Sequence, residues 1–438
     1  MTISKIRNFI KNSIKLPKDA GWLIPGLEVK RWFSLLIIGT VFALLGLCIM
    51  LDLKPIFWLY KALLKIVRFI PSEPIGISLI VIGAFLFIKG WFKTNYSILN
   101  VNDQRERGDI LEDLYRRRKL NKGPKIVAIG GGTGLSTLLK GIKKLSNNIT
   151  AVVTVGDDGG SSGRLREEMG VLPPGDIRNC IAALADAEDL VTKLFQYRFK
   201  TGEGLEGHSF GNLFLTALCS ITGDMLRAVK ESSRVLSIRG RVLPSTLDDM
   251  RLIAQMDTGE IVKGESNIPE AKGKIMKLSC EPADCKTLPE IILAIQDADL
   301  IIMGPGSLYT SVIPNLLIKD ISKAISKSKA KKIYVCNVMT QPGETDGYTV
   351  SDHLYAIMEH AQEPNLIDAV LVNDKFPENA LEKYKEANQI PVEIDYDEIQ
   401  DMGIKVVPRR LIEESTGNLV RHSPQRVARA IHYWYHRG

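Results

Sequence analysis

A run of glycines after an apolar strand is the segment best suited to bind phosphate. Residues 125–129 predict a buried strand, residues 130–134 are Gly-Gly-Gly-Thr-Gly, and residues 135–145 predict a helix. At such a turn the backbone N–H groups and the helix dipole point toward an anion. Glycine admits a phosphate because it has no Cβ. The residues predicted to contact the ligand here are Gly131, Gly132, Thr133 and Gly134.

This loop differs from the two best-known phosphate loops. A dinucleotide fingerprint requires glycine at its first, third and sixth positions, but the sixth position is Leu135 counted from Gly130 and Thr137 counted from Gly132. No Gly-Lys-Ser or Gly-Lys-Thr follows, so the loop is not a P-loop. A tight turn with a purely structural role remains the alternative.

The second predicted strand, residues 149–155, ends in a loop that carries both signs of charge. Asp157 and Asp158 can accept hydrogen bonds from ribose hydroxyls or hold Mg²⁺, and Arg164 can pair with phosphate. The carboxyl ends of parallel strands line one crevice, so this loop is expected beside the first. Its predicted ligand-binding residues are Asp157, Asp158, Gly160, Ser161, Ser162 and Arg164, with Asp157 and Asp158 as the possible magnesium ligands.

Two helix starts supply further polar candidates. In residues 173–179, Asp176, Arg178 and Asn179 are predicted ligand-binding residues, and Asp176 is also a plausible N-cap. In residues 208–212, His208 could act as a general base, although a hydrogen-bonded structural histidine is equally consistent, and Asn212 is a possible ligand contact. His208 and Asp157 are the weak catalytic candidates.

A second strand, loop and helix unit repeats the pattern of the first. Residues 300–303 are apolar, and the following loop offers backbone N–H groups, hydroxyl groups and a tyrosine that could stack on a base or sugar. Two such loops suggest a diphosphate held between them, and residues 339–347 would complete the wall of the crevice. The predicted ligand-binding residues here are Gly304, Pro305, Gly306, Ser307, Tyr309 and Thr310.

The elements that must position these loops predict an α/β fold. Further strand candidates are residues 332–338, 369–372 and 404–407, and helical patterns separate most of them. This alternation indicates a Rossmann-like, mainly parallel sheet covered on both faces, with helical insertions. Residues 236–280 contain short β-rich pieces that could form a small insertion. The main domain is predicted over residues 124–438.

The N-terminal quarter has a different character. Residues 32–51 and 75–92 are apolar and predict two transmembrane helices, although a re-entrant segment remains possible for the second. Basic residues flank both stretches, which predicts a membrane hairpin over residues 1–98, anchored in the cell membrane with both termini and the main domain in the cytoplasm. Residues 99–123 are predicted to form a charged linker helix, with a solvated charge run as the alternative.

Charge and cysteine content exclude some classes of protein. The formal net charge of +7 comes from the N-terminal 125 residues, and the remainder is net negative, so nothing indicates binding to nucleic acid. The six cysteines lack metal-binding spacing and have no histidine cluster beside them. A reduced cytoplasmic domain without a zinc site is expected.

Five ordered motifs together resemble the gluconeogenesis factor family, of the YvcK type, over about 300 residues after Pro124. They occupy residues 130–134, 157–166, 173–179, 208–212 and 304–310. The resemblance implies a CofD-like Rossmann-type fold and binding of a UDP-sugar, UDP-N-acetylglucosamine or UDP-glucose. It also implies a regulatory role in growth on gluconeogenic carbon, cell shape and the supply of cell-wall precursors, with cell-wall or envelope regulatory proteins as possible partners and a homo-oligomeric state.

The wider superfamily contains 2-phospho-lactate transferases, which leaves a second function open. This sequence shares their glycine and aspartate loops but continues as Gly-Gly-Ser-Ser-Gly-Arg-Leu-Arg, as in the regulatory branch. We therefore favour a non-catalytic UDP-sugar sensor over a Mg-dependent transferase that acts on a nucleotide-activated substrate. A dehydrogenase is disfavoured because the third glycine of the nicotinamide fingerprint is missing.

Overall fold

The computed structural model describes residues 29–51, 53–67, 77–78, 80–87, 89, 118–186, 189–271, 273–376, 389–412 and 421–437. The chain divides into two compact units, Met1–Arg118 and Lys119–Gly438. The first contains helices α1 (Val29–Met50) and α2 (Lys54–Val67). Most of the predicted linker helix, residues 99–117, and part of the predicted second span, residues 75–92, lie outside the described residues.

The N-terminal unit corrects the prediction of a membrane hairpin. Among the residues whose placement is described, no helix combines the length and the apolar character that crossing a membrane requires. An apolar stretch of sequence forms a transmembrane span only when it folds into one helix that is long enough to cross a hydrocarbon core about 30 Å thick. This finding contradicts the first predicted span, residues 32–51, and the prediction of a chain anchored in the cell membrane, whereas the second predicted span, residues 75–92, lies partly outside the described residues.

The second unit is built on a seven-stranded sheet with the order β10-β9-β8-β7-β1-β2-β3, in which every neighbouring pair is parallel. Every residue of β1, β2, β7 and β9 is buried, as expected of a sheet covered on both faces. The strands are β1 (Ile126–Gly130), β2 (Ile149–Val153), β3 (Arg241–Pro244), β7 (Leu300–Met303), β8 (Lys331–Val335), β9 (Ala369–Asn373) and β10 (Lys405–Arg409).

Helices connect these strands and follow the predicted alternation. One π-helical turn, Leu308–Val312, lies after β7. Helix α3 packs against α5 and α14. The helices are α3 (Gly132–Ile142), α4 (Gly160–Met169), α5 (Gly175–Leu184), α6 (Asp189–Gln196), α7 (Phe210–Thr222), α8 (Met225–Val235), α9 (Pro289–Gln296), α10 (Ile313–Leu317), α11 (Lys319–Lys327), α12 (Val350–Ala361), α13 (Tyr396–Asp401) and α14 (Pro424–Arg437).

Residues 236–280, which are ambiguous in sequence, divide between two sheets. The strand β3 joins the edge of the main sheet beside β2. The strands β4 (Arg251–Met256), β5 (Ile261–Lys263) and β6 (Ile275–Glu281) form a separate antiparallel sheet in the order β5-β4-β6. The expectation of a small β insertion is therefore confirmed for the second half of this region.

The strand order places a topological switch point between β1 and β7. The chain leaves β1 toward β2 and β3 on one side, and it continues from β7 toward β8, β9 and β10 on the other. In open α/β sheets the crevice for ligands forms at this point, outside the carboxyl ends of the strands. The two predicted glycine loops follow these two strands.

Candidate functional site

The two glycine turns meet at the switch point. A Cβ added to Gly134 would lie 2.3 Å from the backbone oxygen of Pro305 and 2.8 Å from the Cα of Gly306. Real Cβ atoms do not approach other heavy atoms this closely, so only glycine fits at position 134. The absence of a side chain lets the turn after β1 rest directly on the turn after β7.

Both turns line one cavity of about 360 Å³. This volume lies within the range of small-molecule sites, about 300–1,000 Å³. Of the predicted ligand residues it brings together Gly132, Thr133, Gly134, Pro305, Gly306 and Ser307. The remaining lining residues are Thr137, Ser311, Asn337, Val338, Met339, Thr340, Gln341, Gln389, Arg421 and His422.

An internal carboxylate already contacts the first turn. The Oδ2 of Asp176 accepts a hydrogen bond from the backbone N–H of Gly132 at 2.6 Å. Burial, reinforced by the nearby Asp157 carboxylate, raises the pKa of Asp176 to about 6. The prediction that Asp176 caps a helix is wrong, because α5 begins at Gly175 after Pro174 and Asp176 lies in its first turn. Its side chain reaches across to the glycine turn instead.

A second internal carboxylate contacts the segment after the other turn. Glu344 accepts hydrogen bonds from the backbone N–H of Tyr309 and from the Thr310 hydroxyl, both at 3.2 Å. Burial raises the pKa of Glu344 to about 7. Glu344 therefore engages backbone and hydroxyl donors that the sequence predicts for an anionic ligand.

Tyr309 does not serve the role predicted from the sequence. Its side chain is buried, and its hydroxyl lies 2.8 Å from the hydroxyl of Tyr348. The ring makes an edge contact with His360. The prediction that Tyr309 stacks on a ligand is wrong because this ring packs in the core and does not line the cavity.

The acidic loop after β2 is tied to the small antiparallel sheet. The Asp158 carboxylate accepts from the backbone N–H of Glu265 at 3.0 Å and of Ser266 at 2.9 Å. Asp157 accepts from the N–H of Gly159 at 3.0 Å. Burial and the neighbouring Asp157 raise the pKa of Glu265 to about 8. The carboxylates of Asp157 and Asp158 therefore hold loop backbone in place, and their negative charges lie close enough to Glu265 to raise its pKa.

The described residues give no independent support for a metal centre. Within the described ranges, no group of three or more His, Cys, Asp or Glu side chains is arranged to hold an ion. Asp157 and Asp158 supply only two carboxylates. Each of them already accepts at least one hydrogen bond from a backbone N–H group. Magnesium binding by this pair stays a prediction.

A buried polar cluster forms beside the cavity around Ser161. Its Oγ lies 3.0 Å from Nδ1 of His208 and accepts from the side-chain amide of Asn212 at 3.0 Å. Burial lowers the pKa of His208 and favours the neutral ring. The cluster reaches the first turn through α5, because Ser162 accepts from the backbone N–H of Gly175, next to Asp176.

The predicted arginines contact protein groups near this cluster. Arg178 donates to the Ser209 hydroxyl and, at 2.8 Å, to the side-chain oxygen of Asn179. Arg164 donates to the backbone oxygen of Glu206 at 2.7 Å. A group of predicted ligand residues therefore does not line the cavity. Its members are Asp157, Asp158, Gly160, Ser161, Ser162, Arg164, Arg178, Asn179, His208 and Asn212.

Hydrogen bonds between two side-chain amides of the cavity lining, Asn337 and Gln341, hold the turn after β7 in place. The Asn337 side chain accepts from the backbone N–H of Gly306 at 3.4 Å and donates to Gln341 at 3.0 Å, and Gln341 donates to the Ser307 hydroxyl at 2.9 Å. The expectation that residues 339–347 complete the crevice is confirmed for Met339, Thr340 and Gln341.

Sequence reasoning missed the C-terminal part of the cavity wall. Arg421 and His422 line the cavity, yet they follow no strand and belong to no glycine motif. Arg421 is exposed, and it is the one charged side chain among the described residues that line the cavity. An isolated Arg-His pair close to a helix start carries no periodic or compositional signal.

Comparisons with known proteins agree with this architecture. The family model described as 2-phospho-L-lactate transferase CofD matches residues 126–412. A relative from Nostoc is 52% identical over 419 residues, which cover 94% of this chain and 92% of that protein. The protein called gluconeogenesis factor in Bacillus subtilis is 49% identical over 310 residues, covering 70% of this chain and 97% of that protein.

A solved structure supports the same assignment. The crystal structure of a Bacillus halodurans protein aligns with a TM-score of 0.69 and 48% sequence identity, and covers 71% of this chain and 99% of that chain. At this identity the likeness extends beyond the fold to the sequence. The chain therefore belongs to the CofD family, alongside the proteins called gluconeogenesis factor.

Proposed function

We propose that this protein is a regulator that binds a UDP-sugar, UDP-N-acetylglucosamine or UDP-glucose, in the cavity between the two glycine turns. The observation that carries the proposal is the direct contact of the turns after β1 and β7, which line one cavity at the switch point. Doubly wound folds bind nucleotides at this position.

The charges around the cavity support a position for the diphosphate close to Arg421. Asp176 accepts from the N–H of Gly132, and Glu344 accepts from the N–H of Tyr309, so internal carboxylates lie behind both turns. A diphosphate therefore needs a cation on the open side. Arg421 is an exposed residue of the cavity lining, and a guanidinium can donate two parallel hydrogen bonds to phosphate oxygens.

In this proposal the protein senses the ligand and transmits its presence to other proteins. The name of the Bacillus subtilis relative points to metabolism on gluconeogenic carbon. We extend the proposal to control of cell shape and cell-wall precursor supply through envelope regulatory proteins, with the protein acting as a homo-oligomer. Pull-down with and without UDP-N-acetylglucosamine tests this extension, and an identical set of bound proteins would contradict it.

Arg421→Ala is expected to weaken UDP-N-acetylglucosamine binding by about tenfold to a hundredfold, because a charge-assisted hydrogen bond contributes about 1.5–3 kcal/mol. Isothermal titration of the full chain measures the effect. Arg227→Ala is the matched control, since Arg227 is an exposed arginine on α8, paired with Asp224 and absent from the cavity wall. Absence of heat with either UDP-sugar at millimolar concentration would refute the ligand assignment.

A Mg-dependent transferase is the second candidate, favoured by the description of the family model. In that case Asp157 and Asp158 would hold the ion, and the nearby Ser161 and His208 pair would lie close to the reacting group. Incubation with a nucleotide-activated phospho-substrate and Mg²⁺ separates the two functions. Formation of a transfer product favours the enzyme, whereas full binding without metal or turnover favours the regulator.

A further inference from the structure

Two histidines near the end of α14 lie side by side on the surface of the protein. His432 and His436 are four residues apart on this helix, and the centroids of their rings are separated by 4.4 Å. Residues at this spacing are neighbours on one face of a helix. Both histidines are exposed. The core face of α14 is formed by other residues, namely Val427, Ala428, Ala430, Ile431 and Trp434.

Neither ring has a role in holding the fold together. In the part of the chain that the structure describes, neither ring forms a hydrogen bond or an ion pair, and their ring contacts are with each other and with Tyr435. His353 and His360 differ, because Nδ1 of each lies 2.7 Å from a backbone oxygen. The ring nitrogens of His432 and His436 are therefore available to a ligand from solvent.

The surroundings of the pair favour a bound cation. Burial, followed by the charges of His436 and Lys119, lowers the pKa of His432. A metal ion needs the neutral imidazole, which has a free lone pair. His436 lies in the last turn of α14, where the partial negative charge of a helix C-terminus attracts cations. Lys119 repels a cation, but its side chain is exposed and solvent weakens that repulsion.

We infer that His432 and His436 together bind one divalent transition-metal ion, such as Zn²⁺, between their rings. Imidazole is a preferred ligand of zinc, copper and nickel. An imidazole nitrogen lies about 2.0–2.1 Å from zinc, which places the centroids of two rings on one ion roughly 5 Å apart. The observed separation of 4.4 Å is close to this value, so a small rotation of the rings completes the site. Water fills the remaining positions of the ion, since both rings face solvent.

This pair differs from the metal centres considered above. Groups of three or more potential ligand side chains are absent from the described ranges, and the pair includes none of the cysteines. Two ligands on one helix still form a chelate, because binding to the first makes binding to the second intramolecular, which strengthens affinity by about 10²–10⁴. Neither histidine lines the cavity between the glycine turns, so the inference is independent of the proposed function.

Isothermal titration of the full chain, without an affinity tag, with zinc chloride tests the inference. His432→Asn and His436→Asn each leave one imidazole and should weaken zinc binding by about tenfold or more. Both side chains are exposed, so both variants should fold. Copper(II) binds imidazole more tightly than zinc does. Electron paramagnetic resonance of the copper-loaded protein should show two nitrogen ligands in the wild type and one in each variant.

Two controls distinguish the paired site from general binding to histidine. Combining His436→Asn with Arg437→His keeps the number of histidines but places them five residues apart, off a shared helix face. This double variant should bind zinc as weakly as His436→Asn. Tyr433→Asn changes an exposed residue between the two histidines and should leave zinc affinity within about twofold of the wild type.

Three results would overturn the inference. Zinc affinity that is unchanged in both single variants would place the ion elsewhere on the chain. Wild-type affinity in the double variant would show that the four-residue spacing of His432 and His436 has no role. Absence of heat from the wild type at millimolar zinc would rule out the site. None of these results bears on binding of a UDP-sugar, which is measured separately.

Discussion

Replacing Gly134 with alanine is expected to weaken UDP-N-acetylglucosamine binding by more than about tenfold and to lower the free energy of unfolding by about 1–3 kcal/mol. The new Cβ would lie 2.3 Å from the backbone oxygen of Pro305 and 2.6 Å from its carbonyl carbon. Backbone atoms cannot rotate away, so the two turns must separate and the cavity between them must change shape. Isothermal titration and urea unfolding measure the two effects.

Gly240→Ala provides the control for a purely structural defect. Gly240 has a φ of +86°, and an added Cβ would lie 2.4 Å from the backbone oxygen of Ile149. Because Gly240 precedes β3 and Ile149 begins β2, this clash lies at the amino ends of parallel strands, away from the cavity. We expect lower stability with unchanged affinity. Equal loss of affinity in both variants would mean that the contact of the glycine turns has no particular role in binding.

Asp176→Asn is expected to raise the free energy of unfolding by up to about 3 kcal/mol at pH 8 and by about half as much at pH 5. The folded protein raises the pKa of Asp176 from 3.8 to about 6. The folded state therefore binds this proton more tightly than the unfolded state. The associated stability is fully present below pH 3.8 and is lost as the pH rises through 6. Asparagine has no charge to lose, and its oxygen can still accept from the N–H of Gly132.

Urea unfolding at the two pH values, compared between variant and wild type, isolates this group from other carboxylates. Asp346→Asn is the matched control, because the carboxylate of Asp346 also accepts from one backbone N–H, that of Gly343 at 2.7 Å, but its side chain is exposed. It should change stability little at either pH. A difference between Asp176→Asn and wild type that is the same at pH 5 and pH 8 would contradict the raised pKa.

The parallel sheet and both glycine turns could be predicted because their signals are local. An apolar strand followed by glycine and then a helical period identifies each unit, and β7 occupies the predicted residues 300–303. The strand β3 was harder to identify because it is four residues long and lies at the edge of the sheet, where pattern alone does not distinguish it from the short strands that follow.

The partners of the polar side chains could not be predicted, because they depend on long-range packing. Asp176 lies in a helix-start motif, and its contact with Gly132 requires α5 to lie against the first turn. Glu344 reaches Tyr309 across 35 positions of sequence. Arg421 and His422 reach the cavity through long-range contacts, such as the antiparallel bridge between Ile412 and His422. Sequence motifs identified the loops. The contacts that the buried carboxylates of Asp176 and Glu344 make with them depend on the three-dimensional arrangement.

The order of the strands also has a consequence for how the protein is made. The rims of the cavity come from residues as far apart as Gly132 and His422, so a nascent chain cannot form it until nearly the whole second unit has been synthesised. Such non-local closure slows folding because loop entropy is lost before the contacts form. If the cavity binds the proposed ligand, binding therefore requires a chain that extends at least to His422, and shorter products would not bind it.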